Sequence, residues 1–93
     1  MSSFEERVST LLGLIVLDNP PCLEVLPTEH IHESAAVYSI IGQLIDGDIE
    51  TAFRIYNFNG DGVQGVICNH LLFITNHGYV KYKQKLKINR YFR

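Results

Sequence analysis

Several features that mark other classes of protein are scarce or absent in this sequence. It contains no tryptophan, and its two cysteines, Cys22 and Cys68, are far apart, so no disulfide framework is predicted and two reduced thiols are expected. The longest apolar run near the N-terminus, residues 14–17, is far shorter than the ~20 residues of a membrane span. The first residues are polar and acidic, unlike a signal peptide. These features favour a cytoplasmic protein, or a nuclear one in a eukaryotic host, without membrane contact.

Charge is also scarce, because only 19% of the residues are charged, which leaves apolar surface for a partner. Hydrophobic residues make up 46% of the chain, enough for a modest core. With 93 residues, the chain has room for one domain, 1–93.

Acidic residues are missing from one third of the chain. All ten lie in residues 1–61, where Arg7 and Arg54 are the only Lys or Arg residues, and residues 62–93 contain none. This second stretch instead contains six cationic residues, which are Lys81, Lys83, Lys85, Lys87, Arg90 and Arg93. The asymmetry indicates binding of a polyanion, or of a second copy docking head to tail. A lysine-rich edge strand, protected from aggregation by its charges, is the simpler interpretation.

The first half of the chain has the apolar spacing of amphipathic helices. Residues 4–17 predict a helix with Ser3 as its N-cap, although 14–17 is also consistent with a short buried strand. Residues 18–32, with two consecutive prolines, predict a linker and the entry to the next helix. A second helix runs to about Ile45, with apolar residues at i, i+3, i+4, i+7 and i+8.

The second half predicts two more helices and then two strands. The third helix starts near Ile49, and the fourth spans about 63–76 and ends at Gly78, a left-handed cap. After Gly78 the pattern changes to a period of two, in which lysines alternate with Val80, Tyr82 and Gln84. A second β-like run follows at 88–92, so residues 79–93 predict a hairpin.

Residues 66–80 read VICNHLLFITNHGYV, with inward apolar residues, a polar stretch, then glycine, an aromatic residue and valine. This pattern resembles the winged helix-turn-helix superfamily, over about residues 33–93. The resemblance implies a small α+β domain, in which a three-helix core (33–93) carries a C-terminal β-hairpin wing and residues 4–17 add an N-terminal helix.

The resemblance also implies a function. A helix at about 63–76 would enter the major groove of double-stranded DNA, and a basic wing at 79–93 would lie along the phosphates. The protein is then expected to be a regulator of transcription or replication. The predicted DNA-binding residues are Gln64, Asn69, His70, Lys81, Lys83, Lys85, Lys87, Arg90 and Arg93.

The predicted reading helix contains no lysine or arginine, and two of its apolar residues point away from the inward face. A protein–protein interaction module, such as a small inhibitor, is therefore the alternative function. The N-terminal helix has more apolar residues than one short helix needs to bury, which favours a homodimer. The predicted interface residues are Phe4, Val8, Leu11, Leu12, Leu72 and Phe73.

Other chemical signals are weak. Asn57, Asn59 and Asp61 have the spacing of a calcium-binding loop, but Cys68 replaces the required bidentate glutamate. No histidine or cysteine grouping has the spacing of a four-ligand metal site, and no phosphate loop or nucleophile motif is present. We expect no enzyme activity, no metal and no cofactor.

Overall fold

The computed structural model describes residues 2–18 and 35–91, apart from the side chains at positions 18, 61 and 87–91. These residues form four α-helices, which are α1 (Phe4–Asp18), α2 (Ala35–Asp46), α3 (Ile49–Phe58) and α4 (Asp61–Tyr91). No strand occurs among them. The predicted α+β class, with a β-hairpin wing after Gly78, is therefore wrong for the described part of the chain.

Helix α1 begins with a reciprocal pair of hydrogen bonds, as the predicted Ser3 N-cap requires. The Glu6 backbone N–H donates to Ser3 Oγ, and the Ser3 N–H donates to Glu6 Oε1, both at 3.1 Å. This capping box satisfies two of the amide groups that a helix start leaves without partners. Residues 14–17 continue the helix, which excludes a strand there.

A tight turn joins α2 to α3. Helix α2 ends in a Schellman motif, in which the Gly47 N–H donates to Leu44 O and the Asp48 N–H donates to Gln43 O. Gly47 has φ 89°, a conformation that glycine adopts without penalty. The next residue, Asp48, is the N-cap of α3 and accepts from the Thr51 N–H at 3.0 Å. The predicted end of α2 and the predicted start of α3 are confirmed.

Helix α4 is interrupted at Gly78, which has φ 85° and ψ 166°. This backbone region is accessible essentially to glycine alone. The predicted helix break at Gly78 is thus confirmed, but a helical segment follows it instead of a strand. We call residues 61–77 the first segment of α4 and residues 79–91 the basic segment.

The two segments of α4 pack against each other. His70 Nδ1 and the Tyr82 hydroxyl are twelve residues apart in sequence and 2.8 Å apart in space. In a straight helix, twelve residues would separate them by about 18 Å. Gly78 therefore reverses the chain direction sufficiently for the basic segment to return to the first segment.

The strand prediction failed because two periodicities coexist after Gly78. Lysines alternate at every second position, but Tyr79, Tyr82 and Leu86 also recur at i, i+3 and i+7. The second pattern is the helical one, and these three residues pack in or against the core. Lysine is also a good helix former, so the alternation does not oppose a helix.

All four helices contribute to one core. Their buried apolar residues are Val8, Leu11, Leu12, Ile15, Val37, Ile40, Ile41, Leu44, Ala52, Tyr56, Ile67, Cys68, Leu71, Ile74 and Tyr82. Helix α1 lies mainly on α4, and α2 lies mainly on α3.

Arg7 ties α1 to the end of α2. Its Nε donates to Leu44 O at 2.6 Å, and its Nη2 donates to Ile45 O at 3.2 Å. The last turn of α2 has no basic residue of its own. Arg7 therefore supplies the positive charge that stabilises the carbonyl end of a helix.

We expect Gly78→Ala to destabilise the protein by about 1–3 kcal/mol, because alanine is strained at this φ and ψ. The matched control is Gly13→Ala on the exposed face of α1, which should raise the unfolding free energy by roughly 0.4–1 kcal/mol. Urea unfolding of both variants measures the difference. A Gly78→Ala protein as stable as wild type would contradict the observed backbone conformation.

We expect Arg7→Met to lower the unfolding free energy by about 1–2 kcal/mol, because two carbonyl groups lose a charged donor. The control is Arg54→Met, which breaks an exposed ion pair with Glu50, worth only about 0.3–0.5 kcal/mol. Thermal unfolding at neutral pH compares the two. Equal losses would show that the contacts of Arg7 with α2 add nothing beyond a surface charge.

Candidate functional site

The basic segment of α4 is fixed to the rest of the molecule by its aromatic residues. Tyr82 is buried, and Tyr79 and Leu86 are half-buried against the core. The rings of Phe4 and Tyr79 lie 4.5 Å apart, centroid to centroid. The lysines that follow Gly78 are therefore carried by a helix that packs against the core.

A carboxylate of α1 contacts the start of this segment. Glu5 Oε2 accepts a hydrogen bond of 3.2 Å from the Tyr79 backbone N–H. Tyr79 is the first residue after Gly78, where the amide groups of a helix start lack intrahelical partners. Glu5 thus acts as a cap supplied from another helix, and its negative charge suits that position.

The lysines of the basic segment are accessible to solvent. Lys81 and Lys83 are exposed, and Lys85 is half-buried. Lys83 Nζ lies 4.8 Å from the centre of the Tyr79 ring, in a cation–π contact. The described residues form one ion pair, between Arg54 and Glu50. None of these three lysines is therefore paired with a carboxylate in the described part of the chain.

The residues predicted to read DNA bases do not share this exposure. Asn69 and His70 are only 4% and 1% exposed, and His70 bonds to Tyr82 inside the molecule. Gln64 is half-buried and donates to Tyr56 O at 3.1 Å. The structure thus places Asn69 and His70 inside the molecule and not on a groove-facing surface, because the basic segment covers the side of α4 on which His70 lies. The base contact predicted for Gln64 stays a prediction.

Three further cationic residues, Lys87, Arg90 and Arg93, were predicted to contact DNA. Lys87 and Arg90 belong to the helical basic segment, and their side chains are outside the described part. Arg93 lies outside the described residues altogether.

The residues predicted to form a dimer interface belong to the core of one chain. Val8 and Leu11 are fully buried, and Leu12 is 7% exposed. Phe4, Leu72 and Phe73 are half-buried and pack against the same core. The excess of apolar residues in α1 is explained by its contact with α4, so it gives no reason to expect dimerisation through this helix.

Cys68 differs from its predicted state. It is buried and disulfide-bonded, so the expectation of a reduced thiol is wrong for this residue. The sequence has one other cysteine, Cys22, which lies outside the described residues. The Tyr56 hydroxyl lies 3.8 Å from Cys68 Sγ.

The residues that have the spacing of a calcium-binding loop, Asn57, Asn59 and Asp61, do not lie in a single loop. Asn57 lies within α3, the Asn59 side chain donates to Ile55 O, and α4 begins at Asp61. In the described part of the chain, no three histidine, cysteine or acidic residues are placed to hold a metal ion.

A second surface lies beside the turn between α2 and α3. A cleft of about 560 Å³ is lined by residues that include Arg7, Ile45, Asp46 and Ile49, and we call it the acidic cleft. Asp46 and Asp48 are exposed at this turn. Ile45 is 49% exposed, so the cleft combines apolar and acidic surface.

The electrostatics of this turn are set by the N-cap of α3. The Thr51 backbone N–H and then the Thr51 hydroxyl, at 2.7 Å, hold the pKa of Asp48 below its ordinary value of 3.8. Both donors favour the ionised carboxylate. Stability from this contact is therefore present above the ordinary pKa and is lost as the pH falls through the lowered one.

We expect the stability difference between wild type and Asp48→Asn to depend on pH. The asparagine keeps a capping oxygen but does not titrate. The difference should be constant above about pH 5, and the advantage of wild type should shrink once the pH falls below 3.8. Urea unfolding at a series of pH values measures it. An advantage that grows on acidification would contradict the lowered pKa.

The sequence analysis did not predict the two contacts by which α1 holds the end of α2 and the start of the basic segment. Arg7 and Glu5 bind backbone groups of other helices, which are distant in sequence. No local sequence pattern therefore identifies their partners. The spacing of Tyr79, Tyr82 and Leu86 was a usable signal for a helix after Gly78.

Comparison with known proteins finds no matching family model, curated protein or solved structure. No helix in the described ranges is long and apolar enough to cross a lipid bilayer.

Proposed function

We propose that the protein binds double-stranded DNA through the sugar–phosphate backbone, using the lysines of the basic segment. The observation that supports this most is the state of Lys81, Lys83 and Lys85. They extend from one helix and have no carboxylate partner among the described residues. Residues 62–93 also contain no acidic residue that would repel phosphate.

The physical basis is the release of counterions. A duplex holds a dense layer of cations, and each lysine that neutralises a phosphate frees some of them. Binding then weakens as salt is added, with a slope of about −0.9 per phosphate contacted. Three lysines predict a slope near −3 for the described part of the segment.

The proposal does not include base reading by the first segment of α4. Asn69 and His70 are buried, and Gln64 is bonded to the backbone of α3. Phosphate contacts position a protein on DNA but carry no sequence information. We therefore expect similar affinity for duplexes of different sequence.

A protein-interaction module is the second candidate function. Phe58 is 93% exposed, beside a small groove of about 270 Å³ lined with Arg54, Ile55 and Asn59. A large aromatic side chain in this state is typical of interface residues. This surface belongs to α3, so substitutions there and in the basic segment separate the two functions.

The test is fluorescence anisotropy with a labelled random duplex over a range of salt concentrations. We expect low-salt binding with a dissociation constant of ~10⁻⁴–10⁻⁶ M. Lys81→Gln and Lys83→Gln should each flatten the salt slope by about 1. The double variant should flatten it by about 2 and weaken binding equally on all sequences.

Two controls make the result specific. Arg54→Gln removes an exposed cation outside the basic segment and should leave the slope unchanged. Phe58→Ala should leave DNA affinity unchanged, since it alters only the groove of α3. Absence of binding at low salt, or an equal effect of Arg54→Gln and Lys81→Gln, would refute the proposal.

A further inference from the structure

The acidic cleft has two properties of a small binding surface. Ile45 is about half exposed and lies in the cleft with Ile49, which gives an apolar floor. Asp46 is also part of the lining, and Asp48 follows two residues later at the exposed N-cap of α3.

Two arginines lie near the cleft, and Arg7 is part of its lining. Arg7 donates to backbone carbonyl groups of Leu44 and Ile45, and Arg54 pairs with Glu50 on α3. Asp46 takes part in no ion pair with another described residue. A cationic ligand at this cleft would meet the exposed carboxylates of Asp46 and Asp48, which together outnumber the one guanidinium of Arg7 in the lining.

The basic segment carries the complementary features. Val80 is 66% exposed, although its neighbours Tyr79 and Tyr82 pack inward. Lys83, three positions after Val80, lies beside it on the helix surface. Lys81, the next residue after Val80, lies on the other side of it around the helix. An exposed apolar residue between two exposed cations matches an apolar floor with an acidic rim.

We propose that the basic segment of one copy docks on the acidic cleft of a second copy, head to tail. Val80 contacts Ile45 and Ile49, and Lys81 and Lys83 face Asp46 and Asp48. The proposal uses the same lysines as the DNA-binding proposal but does not depend on it, because the partner here is a second copy of this chain.

The two docking surfaces are different, so the contact is heterologous. Such contacts leave one free surface at each end and add further copies unless rotation closes a ring. Only three side chains of the basic segment make the contact, so the interface is expected at the weak end of the known range. Association should therefore increase steadily with concentration and decrease with salt.

The test is sedimentation velocity of DNA-free protein at several concentrations, in about 0.05 M and about 0.5 M salt. We expect the average mass of wild type to rise with concentration in low salt and to remain near 10.6 kDa in high salt. Asp46→Lys or Lys81→Glu alone should weaken association about tenfold or more, because each places like charges across the contact.

A mixture of the two variants gives the decisive result. The intact basic segment of Asp46→Lys then meets the intact cleft of Lys81→Glu, and association should recover. The controls are Ser39→Lys and Ser39→Glu, which add charge at an exposed position of α2 and should change little.

Three outcomes would overturn the proposal. They are a wild-type protein that stays monomeric in low salt, a mixture that does not recover, and Ser39 variants that weaken association as much as the others. Failure of DNA binding would leave these measurements unaffected, because no DNA is present. Self-association and phosphate binding therefore stand or fall separately.

Discussion

The turn at Gly78 is the constraint on which the proposed surface depends. Its φ of 85° and ψ of 166° reverse the path of α4 and bring Tyr82 within 2.8 Å of His70. If the helix ran straight, Tyr82 would be exposed and His70 uncovered. The reversal therefore has two effects at once, since it completes the core and places Lys81 and Lys83 on the outside.

The first turn of α1 stabilises the ends of two other helices with opposite charges. Arg7 binds the carbonyl end of α2, where helix dipoles favour a cation. Glu5 binds the amide end of the basic segment, where they favour an anion. Because the Glu6 carboxylate also accepts from the Ser3 backbone N–H in the capping box, three charged residues within one turn each satisfy backbone groups. Of the three, Arg7 also lines the acidic cleft.

The helices before Gly78 were predictable from the sequence because their signals are local. The i, i+3, i+4 spacing of α2, the cap at Ser3, and the glycines that end α2 and the first segment of α4 concern residues close in sequence. The region after Gly78 was wrongly predicted as a hairpin, because alternating lysines and a helical row of Tyr79, Tyr82 and Leu86 share the same stretch. Whether this stretch forms a strand or a helix depends on whether its apolar row can pack against the first segment of α4. That is a tertiary contact, which the local sequence does not show.

The same limit applies to the candidate site. The exposure of Lys81 and Lys83 follows from charge and was predictable, since charged residues are rarely buried without partners. The burial of Asn69 and His70 was not, because polar residues in a helix are normally expected on its solvent side. His70 is accommodated inside through its bond to Tyr82, a residue that the strand prediction had placed in a separate hairpin.

Both proposed partners of the basic segment would use one set of lysines, which makes their binding mutually exclusive. A duplex that occupies Lys81 and Lys83 removes them from contact with Asp46 of another copy. By linkage, DNA must then weaken self-association by the same factor by which self-association weakens DNA binding. DNA offers a far denser array of negative charge than the two carboxylates beside the cleft. Bound DNA would therefore displace a second copy, and head-to-tail association would be confined to protein that has no DNA bound.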